Sequence, residues 1–143
     1  MLAVDLNAGF VPLRKPGKLP AETIQKEYAK EYGTDVIEIH NDAISSDDIV
    51  VIHDDLLATG GTMMAAYELV KSMNPKKVYI NFICELLGLN GRALFPADVE
   101  VTSLFDFPDS SISSFNLLLI LVSRSSICHL IIWFSCFILL GIT

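Results

Sequence analysis

The chain predicts an α/β fold, a mainly parallel sheet with flanking helices, and three observations carry that prediction. Val50-Val51-Ile52 is a continuous β-branched run, the pattern of a parallel strand covered on both faces. Ala65, Ala66, Leu69, Val70 and Met73 then recur at helical spacing within Met63 to Met73. A second apolar run, Val78 to Cys84, follows at once. Ile49 to Cys84 is therefore strand, crossover helix, strand: one βαβ unit, right-handed by the general rule for parallel crossovers.

The other elements can be taken in order. Met1 to Ala8 holds Leu2, Val4 and Leu6 but no complete element. Phe10 to Arg14 reads as a strand stopped by Pro16-Gly17. Arg14, Lys15 and Lys18 follow at its carboxyl end as the dense basic patch of the sequence. Leu19-Pro20 opens a polar stretch, Ala21 to Tyr32, with helical leanings around Ile24 to Ala29. Its charge keeps it out of the core, and a long polar segment in a compact domain suits a lid that excludes water. Val36, Ile37 and Ile39 form a short strand, with Glu38 and His40 alternating onto a wet face as in an edge hairpin. Asn41-Asp42 and Ser45-Ser46-Asp47-Asp48 are turn signals leading to the central strand. The helix after it ends near Asn74-Pro75, since a residue before proline avoids helix. Leu86 to Phe95 contains Leu89-Asn90-Gly91-Arg92, and Val99 to Phe107 reads as a last strand.

At 143 residues the chain is one domain at most. A formal net charge of −7 argues against a nucleic-acid partner, though local cations and amides can still bind a polyanionic small molecule. Cys84, Cys128 and Cys136 are odd in number and lack metal-ligand spacing. Cys84 reads as a buried strand residue. The N-terminus has no basic-then-apolar signal, so a reducing, cytoplasmic location is expected.

The chemistry concentrates between Val50 and Thr62. Asp54 and Asp55 stand where the central strand should end, the edge at which open α/β sheets bind ligands. Ala58, Thr59, Gly60, Gly61 and Thr62 lack bulk, so backbone N–H groups can close around an anion, and the next helix adds positive partial charge there. Acids for hydroxyls and a turn for phosphate describe a ribose 5-phosphate. The plainer reading is a solvated acidic loop with Thr62 as helix N-cap. The order strand, acid pair, small-residue turn, helix argues against it. The turn has no Gly-Lys-Ser/Thr ending and is not a Walker loop. His40 and His53 are not read as catalysts: His53 is a packing residue of a buried strand, and the two lack metal-pair spacing.

The run DDLLATGGT, with RKPGKLPAET and EYGTDVIEIH upstream, resembles the type I phosphoribosyltransferases and the adenine phosphoribosyltransferase family in particular, over residues 6 to 107. The resemblance implies an incomplete form of that fold, a partial domain at 1–107 with a short closing helix within Leu86 to Phe95, lacking the adenine-contacting hood, the first strands and an Arg-containing loop. It implies transfer of the phosphoribosyl group of 5-phosphoribosyl 1-pyrophosphate to adenine, giving AMP and pyrophosphate in purine salvage. Arg14, Lys15 and Lys18 would neutralise the pyrophosphate, with Lys15 and Lys18 favoured as contacts. Asp54 and Asp55 would hold the ribose hydroxyls and stabilise the developing cation, Ala58 to Thr62 would hold the 5′-phosphate, and Glu31 would assist proton transfer at the base. Mg²⁺ is implied, held mainly by substrate, and so is a homodimer. A fragment that binds ribose 5-phosphate ligands without transfer is the alternative.

From Pro108 the character changes. Residues 108–143 form a tail that the family does not normally carry. Phe115 to Val122 and Ile127 to Ile142 are apolar runs around Ser123-Arg124-Ser125-Ser126. Residues 115–142 can be a membrane tail anchor, an apolar segment packed onto the domain, or the by-product of an alternative transcript end. The last is the reading adopted from sequence.

Overall fold

The structure is a computed structural model, and it describes residues 2–30, 33–108 and 137–140. Two sheets and one long helix organise it. Strands β1 (Gly9–Pro12), β4 (Ile49–Leu57), β5 (Lys77–Leu86), β6 (Glu100–Phe107) and β7 (Phe137–Leu140) form a five-stranded sheet in the order β1-β7-β4-β5-β6. Strands β2 (Thr23–Lys30) and β3 (Gly33–His40) form a separate antiparallel hairpin. A four-residue helix α1 (Leu2–Asp5) precedes β1, and α2 (Gly61–Ser72) joins β4 to β5.

The β4–α2–β5 unit is the one the hydrophobic pattern announces. β4 and β5 run parallel with Val50 opposite Val78 and Ile52 opposite Ile80, and all four are buried. β6 continues the parallel sheet, with Val101 beside Ile80. Helix α2 buries Met63, Ala65, Ala66, Tyr67, Leu69 and Val70. Small Ala65 and Ala66 let the helix lie close to its neighbours, as ridge-and-groove packing requires. The helix stops at Met73, and Asn74 takes φ 58 before Pro75.

Four expectations need correction. The stretch around Ile24 to Ala29 is strand β2, not helix: it pairs residue for residue with β3, Ile24 opposite Ile39 and Tyr28 opposite Asp35. Cross-strand pairing and packing on α2 override its weak helical composition. Glu38 does not lie on a wet face; it is 2% exposed. The central strand does not end before the acid pair but runs through Asp54 and Asp55 to Leu57. The closing segment also differs in form: it is two 3₁₀ turns, Leu87–Leu89 and Gly91–Leu94, with Asn90 in the left-handed conformation between them.

Four residues of the apolar tail lie in the main sheet. β7 pairs antiparallel with β1, Phe10 opposite Leu139, and antiparallel with β4, Val51 opposite Leu139. Phe137–Leu140 thus add a strand between β1 and β4, which leaves the origin of the tail as an expectation from sequence. The rest of both apolar runs lies outside the described residues. Among the described residues no helix is long and apolar enough to cross a membrane.

Candidate active site

The acid pair is built on β4. Asp54 lies opposite Phe82 of β5 and is half-buried, while Asp55 is exposed. The Asp55 N–H donates to Asp54 Oδ1 at 2.9 Å. Burial pushes the Asp54 carboxyl up to about 7; that amide opposes the shift and the neighbouring Asp55 charge adds to it. A carboxyl poised near neutrality beside a second acid can accept from sugar hydroxyls and exchange a proton at ordinary pH.

The turn follows at once. Gly60 sits at φ +83, and a side chain there would meet the Gly91 carbonyl oxygen at 2.8 Å. A Cβ at Gly91 would collide with the Ala58 carbonyl oxygen and lie 3.0 Å from the Gly60 nitrogen. The turn and the second 3₁₀ turn therefore meet backbone to backbone, which only glycine at both places allows. Gly60 is the N-cap of α2, with no side-chain cap and no acid in the first turn. Helix amides without a side-chain acceptor, in a turn without bulk, suit a phosphate. Thr62 Oγ1 donates to the Tyr28 hydroxyl at 3.4 Å. The second 3₁₀ turn is itself anchored: Arg92 Nε donates to both oxygens of buried Glu85 at 3.1 Å, and Ser103 Oγ donates to Glu85 at 3.0 Å.

The basic loop is tied to the hairpin. Lys15 Nζ stands 3.4 Å from the Asp35 carboxylate. Arg14 forms an isolated antiparallel bridge with Glu38: the Arg14 N–H donates to the Glu38 carbonyl at 3.0 Å, and the Glu38 N–H donates to the Arg14 carbonyl at 2.7 Å. The N–H groups of Lys18 and Leu19 donate to Glu38 Oε1 at 3.1 and 3.2 Å. Thr23 Oγ1 and Gln25 Nε2 donate to Oε2, both at 3.2 Å. Burial raises the Glu38 carboxyl, but the amides of Leu19, Lys18 and Gly17 with the Gln25 side chain outweigh it and hold the group below the usual carboxylate range. The hairpin also reaches α2, through Tyr28 to Thr62 and through a Lys26–Glu68 ion pair at 2.9 Å. It thus touches both the basic loop and the start of α2 beside the glycine turn. Glu31 lies outside the described residues.

Two positions that shape the candidate site were not singled out from sequence. Gly91 carried a signal, the Asn90-Gly91 turn dipeptide. Tyr28 carried none, because its partner is 34 residues away. His53 has the packing role expected of it: Nδ1 is 2.8 Å from Asn81 Oδ1, and Asn81 Nδ2 donates to Thr102 at 2.8 Å. Cys84 is a partly buried strand residue, and burial first and the Asp55 charge second push its thiol up, away from reactivity.

Comparison with known proteins decides the family. The phosphoribosyl transferase domain model matches residues 13–107. The chain belongs to that family. It is 64% identical over 104 residues to adenine phosphoribosyltransferase of Bacteroides thetaiotaomicron, covering 73% of this chain and 59% of the relative. The structure is similar to a crystal structure of adenine phosphoribosyltransferase from Rhodothermus marinus, at TM-score 0.71 and 50% identity over 75% of this chain and 61% of that one. It is also similar to the Trypanosoma brucei enzyme in complex with AMP, pyrophosphate and ribose-5-phosphate, at TM-score 0.67 and 30% identity over 73% of this chain and 49% of that one. The chain spans about three fifths of the length of the curated relative it matches. The α/β fold with parallel strands β4, β5 and β6 is that of type I phosphoribosyltransferases.

Proposed function

We propose that this chain binds 5-phosphoribosyl 1-pyrophosphate and transfers its phosphoribosyl group to adenine, giving AMP and pyrophosphate. One observation carries the reading: an acid pair on β4 leads directly into a glycine turn and a helix without a side-chain cap, within a stretch 64% identical to an adenine phosphoribosyltransferase. The acids accept the ribose hydroxyls. The turn from Ala58 to Thr62 holds the 5′-phosphate, and that remote grip orients the reacting carbon. As the C1–O bond breaks, negative charge on Asp54 and Asp55 stabilises the oxocarbenium character at the sugar. Arg14, Lys15 and Lys18 offset the charge of the departing pyrophosphate.

The same reading includes Mg²⁺. Asp54 and Asp55 supply hard carboxylate oxygens of the kind this ion takes, alongside the oxygens of the substrate. Bound there, the ion supplies charge neutralisation for the leaving group. Glu31 is assigned to proton transfer at the base on family resemblance, as are the homodimer and the cytoplasmic location. Residues 1–107 make up the catalytic part and 108–143 the added tail.

The test is conversion of isotope-labelled adenine to AMP by the purified full chain with 5-phosphoribosyl 1-pyrophosphate and Mg²⁺. Labelled AMP that disappears in Asp54→Asn/Asp55→Asn is the expected result. No AMP above background, with ribose 5-phosphate still bound, would reduce the chain to a ribose-phosphate binder.

A further inference from the structure

We infer that Glu38 is the positioning residue of the basic loop, holding it in the shape that receives pyrophosphate; this rests on the phosphoribosyl reading above. The loop lies between the Arg14 bridge and strand β2, which starts at Thr23, and one residue ties it at Arg14 and again at Lys18 and Leu19. The Glu38 main chain holds Arg14 through two hydrogen bonds, at 3.0 and 2.7 Å. Its side chain holds the amides of Lys18 and Leu19 through Oε1, at 3.1 and 3.2 Å. Between these ties the loop carries Lys15 and passes through Gly17 at φ +75, a conformation that needs glycine.

The second oxygen binds Thr23 and Gln25 of β2, so the same carboxylate joins the loop to the hairpin. A carboxylate that is 2% exposed is costly to bury unless its oxygens are satisfied. Here both oxygens have two donors, a full set that fixes the side chain. Without it, the amides of Lys18 and Leu19 lose their acceptor and the loop loses one of its two ties. The cations then spread over many arrangements, and pyrophosphate must order them on binding. The ribose-phosphate grip on β4 and α2 does not depend on this tie.

The experiment is calorimetric titration of the full chain with inorganic pyrophosphate plus Mg²⁺ and, separately, with ribose 5-phosphate. Glu38→Ala is expected to weaken pyrophosphate about tenfold and leave ribose 5-phosphate unchanged. Glu38→Gln keeps an acceptor for the two amides and is expected to restore most of the affinity. Thr23→Val with Gln25→Met strips the second oxygen alone and is expected to weaken pyrophosphate about threefold. That pair of substitutions decides the matter even if Glu38→Ala does not fold. Unchanged pyrophosphate affinity in these variants, or equal loss for both ligands, would overturn the role of Glu38. A wild-type chain that binds neither ligand would contradict the phosphoribosyl reading itself.

Discussion

Asp54 and Glu38 are both acids shielded by the fold, yet they move in opposite directions. Asp54 faces burial and a neighbouring charge with one opposing amide, so its carboxyl rises to about 7 from 3.8. Glu38 is held low by the amides and the side chain around it. The linkage signs differ accordingly. Between the two Asp54 values the folded chain binds the extra proton, so stability falls as pH rises through that window; it is fully present below 3.8 and lost above about 7. The stability due to Glu38 is present above its ordinary value of 4.5 and lost as pH falls through its lowered value. Asp54→Asn cannot ionise, so its thermal midpoint should rise relative to wild type between about pH 4 and about pH 7. Each pH unit crossed is worth at most about 1.4 kcal/mol, reduced by solvent at this half-buried site. A difference between the two proteins that stays constant across that range would contradict the assignment.

Among the elements, those set by period were legible and those set by partners were not. Strand β4, helix α2 and strand β5 followed from β-branched runs and helical spacing, and the acid pair and glycine turn fell at their junction. The hairpin strand β2 was not legible, because its polar residues favour strand only when paired with β3 and laid on α2. Glu38 was misplaced for a related reason: alternation says which side of a strand a residue takes, not that a loop will fold over that side. The reach of β4 past the acids was missed because Asp54, Leu56 and Leu57 still pair with β5 despite the two charges in this stretch. The second 3₁₀ turn carries a prediction of its own. Its Gly91 lies against the Ala58 and Gly60 backbone, atoms that cannot swing away. Gly91→Ala should displace the phosphate turn, cost about 1–3 kcal/mol of stability and weaken ribose 5-phosphate about tenfold. Equal affinity by calorimetry would show that the turn does not rest on this contact.

For the whole molecule, the sheet is continuous only because β7 stands between β1 and β4. Leu139 is central to that strand, opposite Phe10 on one side and Val51 on the other. A proline there removes a donor from a central strand. Leu139→Pro should lower unfolding stability by about 2–3 kcal/mol, read from the urea midpoint; an unmoved midpoint would mean that the sheet does not depend on this strand. Adenine transfer and the role of the basic loop both presuppose a sugar phosphate held by carboxylates at one end and helix amides at the other. Titrating ribose 5-phosphate into the full chain measures that grip directly. Saturable binding of one ligand per chain, weakened at least about tenfold in Asp54→Asn/Asp55→Asn, is the predicted result. No saturable binding, or equal affinity in the double variant, would contradict it.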